Sequence, residues 1–252
     1  MNTTCICLIC LKPDTRWIEF LSTFKDYDVY ILVDDNSRDY KVLDKPTMKF
    51  IQINEKDCSK NGFTHFNYII FKKITGWDKA VYYFSVLNTK YEAVWFLEDD
   101  VFLYNEQTLL NVDVKYPRSD LLTARYIENT TGHKNDWHWS KITIHTPPPY
   151  YSAMVCACRL SRGLLEKIKE YATKYKMCFF IEALFPTLCK QNNLIYDTPS
   201  ELVNIHYRKN YTVKDINTLG LYHPVKLMDE QMIFRNYLTS LDSTVTLCTE
   251  RL

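Results

Sequence analysis

Glycine is scarce, with only 5 in 252 residues. That scarcity excludes collagen-like and glycine-rich low-complexity chains. It also removes the glycine-built phosphate cradles: neither G-x-x-x-x-G-K-[ST] nor G-x-G-x-x-G occurs, and there is no G-x-S-x-G elbow. Phosphate-loop NTPase, dinucleotide-dehydrogenase and serine-hydrolase readings therefore lack their mechanical parts. No window approaches the ~18 uninterrupted apolar residues of a spanning helix. The N-terminus has no basic charge before its short apolar stretch and no small-residue cleavage site after it, so it does not read as a secretory leader. The expectation is a soluble, cytoplasmic chain with no membrane span. Neither sign of charge dominates, with 31 Lys plus Arg against 30 Asp plus Glu. A nucleic-acid partner would leave a basic footprint that is absent here, so any anionic ligand must be held locally.

A disulfide framework is missing too. The nine cysteines are odd in number and scattered, which reads as reduced thiols. Cys7 and Cys10 have C-x-x-C spacing but lie in an apolar run with no second pair at metal-site distance, so buried strand thiols are the simpler reading.

What is present is a large apolar share, 46%, and 15% aromatic residues, enough for a sizeable core. The first half alternates strand-like and helix-like segments, the pattern of an α/β domain with a mostly parallel sheet. Strands are expected at 5–11, 27–33, 49–53 and 91–97, and helices at 17–24 and 78–87, the latter opened by Gly76 with Asp78 as its cap. The second half is less regular. Strands are expected near 120–127 and 152–158, a helix over 161–175 capped by Ser161, a helical stretch over 179–191 interrupted by Pro186, and a last helix over 229–241. Residues 1–252 read as one domain without repeats or linkers.

Two acidic clusters fall where ligands of open α/β sheets bind, beyond the carboxyl ends of strands. The fourth strand delivers Glu98, Asp99 and Asp100, flanked on both sides by apolar residues. Adjacent carboxylates repel one another and are costly to desolvate, so a hard divalent cation is a natural partner; a solvated acidic turn is the plain alternative. In extended backbone Glu98 and Asp100 project to one side and Asp99 to the other. Asp34 and Asp35 end the second strand, where a carboxylate can accept from a base or ribose hydroxyl or simply form an Asx turn. Lys79 can meet a phosphate or sit on a helix surface. His223 and Lys226, in a His-Pro-Val-Lys segment, can return an imidazole and an ammonium to the same place. Glu182 stands alone in an apolar stretch, where desolvation raises a carboxyl and suits it to general-base work; favourable helix-start electrostatics is the alternative. The loop 133–151, with Trp137, His138, Trp139 and His145, can bind a sugar through its rings or be structural.

The order strand, Asp-Asp-Asn-Ser, helix, strand, Phe-Leu-Glu-Asp-Asp-Val resembles the nucleotide-binding half of GT-A fold glycosyltransferases, whose D-x-D-type motif ends a strand in this way. The resemblance runs through residues 5–103 and continues weakly to 226. It implies a GT-A-like, Rossmann-like fold, with a nucleotide-binding half over about 1–103 and an acceptor-binding half and tail over 104–252. It further implies a Mn2+ or Mg2+ ion with Asp100 as a direct ligand, assisted by Glu98 or Asp99, and joined by His223. Asp34, Asp35, Lys79, Asp99 and Lys226 would then contact the donor, and Glu182 would be the base. The implied partners are a UDP- or GDP-sugar donor and a saccharide or glycan acceptor, with inversion at the anomeric carbon. This chain has Glu98 where the strictest motif has its first Asp. A sugar nucleotidyltransferase is the rival enzyme, although residues 11–16 lack the glycine-rich loop it needs; a noncatalytic carbohydrate-binding protein of the same fold is the rival from another class.

Overall fold

The structure is a computed structural model that describes residues 3–134 and 136–249, those from 243 onward by backbone alone. Four strands, β1 (Thr4–Cys10), β2 (Asp28–Val33), β3 (Met48–Ile51) and β4 (Ala93–Glu98), pair in parallel in the order β3-β2-β1-β4. The sheet continues through β6 (Tyr150–Ser161), β5 (Leu121–Asn129) and β7 (Tyr196–Asp197). Only β6 runs against the other six. This is the mostly parallel, helix-flanked sheet expected from the sequence. Strand order reverses direction at β1 and β4, so the crevice beyond their carboxyl ends is the topological switch point.

The apolar runs are long because the central strands are covered on both faces. Along β1, Cys5, Cys7 and Ile9 pack into one core while Ile6, Leu8 and Cys10 pack into the other. The first core is completed by α3 (Gly76–Tyr82), α5 (Arg162–Tyr175) and α6 (Ile181–Gln191). The second takes Trp17 and Leu21 from α1 (Thr15–Leu21), and Leu109 and Val112 from α4 (Glu106–Lys115). A smaller cluster joins Phe102 and Tyr222 to Phe234 and Leu238 of α7 (Met228–Thr249). Eight of the cysteines are free and buried, as expected; the side chain of Cys248 lies outside the described set.

The helix α4 and the short α2 (Glu55–Lys60) were not anticipated. The third helix starts at Gly76 and passes into a π turn over Tyr83–Leu87. A Cβ on Gly76 would lie 2.8 Å from Ile9 Cγ2, so glycine permits the helix start to press on β1. Asp78 is not the cap: Thr75 occupies that position, and Asp78 sits inside the first turn. Its fully buried carboxylate accepts from the Thr75 N–H and hydroxyl, both at 2.8 Å, and from the Phe66 N–H at 3.2 Å. Replacing Asp78 by Ala strands two buried N–H donors, so denaturant unfolding should show a loss of roughly 2–4 kcal/mol. A loss within surface-mutant range, below about 0.5 kcal/mol, would contradict that role.

Candidate functional site

The register of β4 sets the site. Strand geometry ends at Glu98, and the chain turns at once, with the Val101 N–H returning to the Glu98 carbonyl at 3.0 Å. The turn is clamped from outside. The Asp99 carbonyl accepts from Trp17 Nε1 at 2.9 Å and from Gln231 Nε2 of α7 at 3.1 Å, and the Asp100 carbonyl accepts from the Val225 N–H at 2.7 Å. Phe102 and Tyr222 exchange backbone hydrogen bonds at 2.8 and 2.9 Å. The distant segment 222–226 is thereby stitched to the acidic triplet.

This stitching brings His223 onto the two carboxylates that share a side. Its Nε2 lies 3.2 Å from Asp100 Oδ1 and 3.6 Å from Glu98 Oε2, with the residue 6 % exposed. The other ring nitrogen, Nδ1, is 2.6 Å from the His206 carbonyl. A donor at Nδ1 leaves Nε2 as the free nitrogen of a neutral imidazole. Burial by itself pulls the His223 pKa down, but the hydrogen bond and charge of Asp100, with Glu98, outweigh it and the net shift is upward. Desolvation and then Asp100 push Glu98 up, against a 2.6 Å hydrogen bond from Trp77 Nε1. Among the described residues His223 is the one basic side chain at ion-pair distance from Glu98 or Asp100. A triplet in this state is short of positive charge.

A cavity of about 330 Å³ opens from here, lined by Glu98, Asp100, His223, Lys226 and Glu182 among others. Glu182 lies in the first turn of α6. Pro186, in the middle of this helix, has no N–H to offer, so the Glu182 carbonyl is left without its donor four residues on. Burial, then the charge of Glu98, push the Glu182 carboxyl up to about 7, against His223 and Arg125. Lys226 is exposed at the mouth.

A second cavity of about 220 Å³ adjoins it, lined by Asp34, Gly76, Trp77 and all three acids of the triplet. Asp99 lines this cavity and not the larger one, placed there by the turn that follows β4 and not by alternation along a strand. Its carboxyl is pushed up to about 6 by lost solvation, then by Asp100 and Glu98, although the residue as a whole is exposed at the rim.

Two of the candidate donor contacts already have partners within the chain. Lys79 is 1 % exposed, and its ammonium is paired with Asp34 Oδ1 at 2.5 Å. The close packing of the α3 start against β1 and β2 turns that side chain inward. Asp35 is likewise occupied, accepting from the Ser37 N–H and hydroxyl and from Tyr40, which holds its pKa down at about 2. Its geometry is that of the Asx turn. The loop 133–151 is also largely structural. Trp139 is buried against Tyr150, and His145 stacks on Tyr175 at 5.0 Å. Trp137 stays partly exposed and packs against Phe180, which lines the larger cavity.

Sequence reading missed Cys156 of β6, whose thiol closes on Glu98 and His223 so that the three ligand atoms lie within 4.8 Å of one another. It also missed Tyr207 and the exposed Ile70 and Phe71 on the outer wall of the larger cavity. No local pattern marks these residues; only the fold assembles them.

Among the described residues no helix is long and apolar enough to cross a membrane. No family profile and no curated protein matches the sequence. Several solved structures match its shape. An active-site variant of the galactosyltransferase LgtC is 12% identical, with 94% of this chain and 95% of that one covered at a TM-score of 0.48. The 4-diphosphocytidyl-2C-methyl-D-erythritol synthase of Anaerococcus prevotii is 10% identical, with the same coverage of the two chains and a TM-score of 0.47. Mouse xyloside xylosyltransferase 1 is 11% identical, with 87% of this chain and 97% of that one covered and a TM-score of 0.42.

Proposed function

We propose that the chain is a metal-dependent glycosyltransferase that moves a sugar from a UDP- or GDP-sugar to a hydroxyl of a saccharide acceptor, with inversion. The observation that carries this reading is one cavity in which Glu98, Asp100 and His223 converge and Glu182, a carboxyl held near neutrality, stands on the same wall.

The donor set fits a divalent cation. Two carboxylates and an imidazole whose far nitrogen is already anchored make a preoriented oxygen and nitrogen set, with no lysine or arginine at ion-pair distance competing for the two carboxylates among the described residues. Glu98, Asp100 and His223 would hold Mn2+ or Mg2+. Such an ion, when bound, neutralises charge developing on a departing diphosphate.

The chain's own residues supply the rest. Asp34, held by Lys79, presents its carboxylate at the smaller cavity to a ribose or base donor. Asp99 faces the same cavity, and Lys226 sets an ammonium at the mouth of the larger one, within reach of phosphate oxygens. Glu182 takes the proton of the acceptor hydroxyl. The hydroxyl oxygen then bonds to the anomeric carbon from the face opposite the diphosphate, whose oxygen leaves with the electron pair of the broken bond.

The testing experiment is a thermal-shift screen of nucleotide sugars with and without Mn2+. Donor at about 100 times its dissociation constant adds ~2.7 kcal/mol. That should raise the melting temperature by roughly 5–10 °C for a domain of this size, with the metal only. A full panel without any metal-dependent shift would refute the reading.

A further inference from the structure

The cavity contains a donor that a purely hard-ion site does not need. The antiparallel pairing of β4 with β6 aligns Phe96 with Cys158 and Leu97 with Ala157, and one further step places Cys156 across from Glu98. The Cys156 residue is 9 % exposed and His223 6 %. Their sulfur and nitrogen, with a Glu98 oxygen, lie within 4.8 Å of one another. The far nitrogen of His223 is already tied to the His206 carbonyl, the outer-sphere bond that aims an imidazole at a cation. One carboxylate, one imidazole and one thiol compose a borderline-soft set; thiolate suits zinc and cobalt, and oxygen-only sets suit magnesium and manganese.

We propose that Glu98, Cys156 and His223 form a thiophilic cation site that holds Zn2+ more tightly than Mn2+ or Mg2+, with Cys156 bound through sulfur. This rests on the proposed placement of a cation at Glu98, Asp100 and His223, and adds a fourth donor to it. On binding, the Cys156 thiol gives up its proton to solvent and a metal–sulfur bond forms, without any change of oxidation state. The other described cysteines lie outside this cluster, so the sulfur contribution belongs to one residue.

Cobalt(II) is the probe, because a cobalt–thiolate bond absorbs strongly in the near ultraviolet and cobalt bound through oxygen and nitrogen does not. The full chain is titrated with Co2+ and the bound metal counted by equilibrium dialysis, then repeated with Zn2+ in competition. The expected result is one bound Co2+ with a thiolate band, displaced by Zn2+ and not by equimolar Mg2+. The band should vanish in Cys156→Ser and in Cys156→Ala, with Zn2+ affinity falling by more than about tenfold, the least that loss of even an outer-sphere partner costs. Melting curves of both variants establish that they fold, and either folded variant suffices. Stoichiometric Co2+ binding without the band, or with a band that survives in the folded variant, would overturn the sulfur ligand and leave the proposed carboxylate–histidine site standing. No bound metal at all would overturn both.

Discussion

Glu182→Gln should lower the rate of sugar transfer by roughly 10²–10⁴-fold, the usual contribution of a positioned base, while donor binding stays nearly intact. The amide keeps the shape of the side chain and cannot take a proton. Because burial and Glu98 hold the carboxyl up at about 7, kcat/KM of the wild-type enzyme should climb as pH rises toward 7 and level off above it. The stability linkage has the opposite sense. A carboxyl whose folded pKa exceeds its unfolded value binds its proton more tightly when folded, so its contribution is present below about 4.5 and fades as pH rises through 7. The Gln variant should therefore melt higher than wild type above pH 7 and match it near pH 4. Loss of activity with a lower melting point at all pH values would mean that the substitution damages the fold; unchanged turnover would remove Glu182 from the chemistry.

Asp100→Asn should be damaging in a different way. Asp100 Oδ1 is the carboxylate oxygen closest to His223 Nε2, at 3.2 Å, and its neutral replacement removes one of the two charges on which the proposed cation depends. Transfer should fall by at least roughly 10²–10³-fold, the scale set by losing one group that stabilises transition-state charge. Unlike Glu182→Gln, this variant should also lose metal-dependent donor binding. Steady-state rates and nucleotide titration on the two variants separate the roles: one loses turnover alone, the other loses both. An Asn variant that binds donor as tightly as wild type would contradict the placement of the cation.

The architecture of the first half of the chain was legible because its signals are local. Residues 5–11, 29–33 and 93–97 are continuous apolar runs, the pattern of strands covered on both faces, and the structure places β1, β2 and β4 there. The shared side of Glu98 and Asp100 was expected from alternation along an extended chain, but the strand ends at Glu98 and it is the turn closed by the Val101 N–H on the Glu98 carbonyl that carries Asp99 and Asp100. The short helices were not legible. The six residues of α2 are too few to establish a period, and α4 fully buries only Thr108, Leu109 and Val112 while leaving Val114 exposed. The partners of Lys79 and Asp35 within the chain were not legible, for a common reason. Their residue types suit ligand binding, but the packing of Gly76 on Ile9 and the turn at Ser37 decide where those side chains go. Cys156 was invisible at that level, since its place beside Glu98 depends on the antiparallel register of two strands more than fifty residues apart, and it reads in sequence as one more buried thiol.

The most direct measurement is calorimetric titration of UDP and of GDP into the full chain, with Mn2+ and then with a chelator, in wild type and in Asp100→Asn. One of the two nucleotides should bind wild type with Mn2+ present, and that heat should disappear with the chelator and with the substitution. Binding of equal affinity after chelation, or no binding of either nucleotide with Mn2+ present, would contradict a cation shared between the acidic turn and a diphosphate.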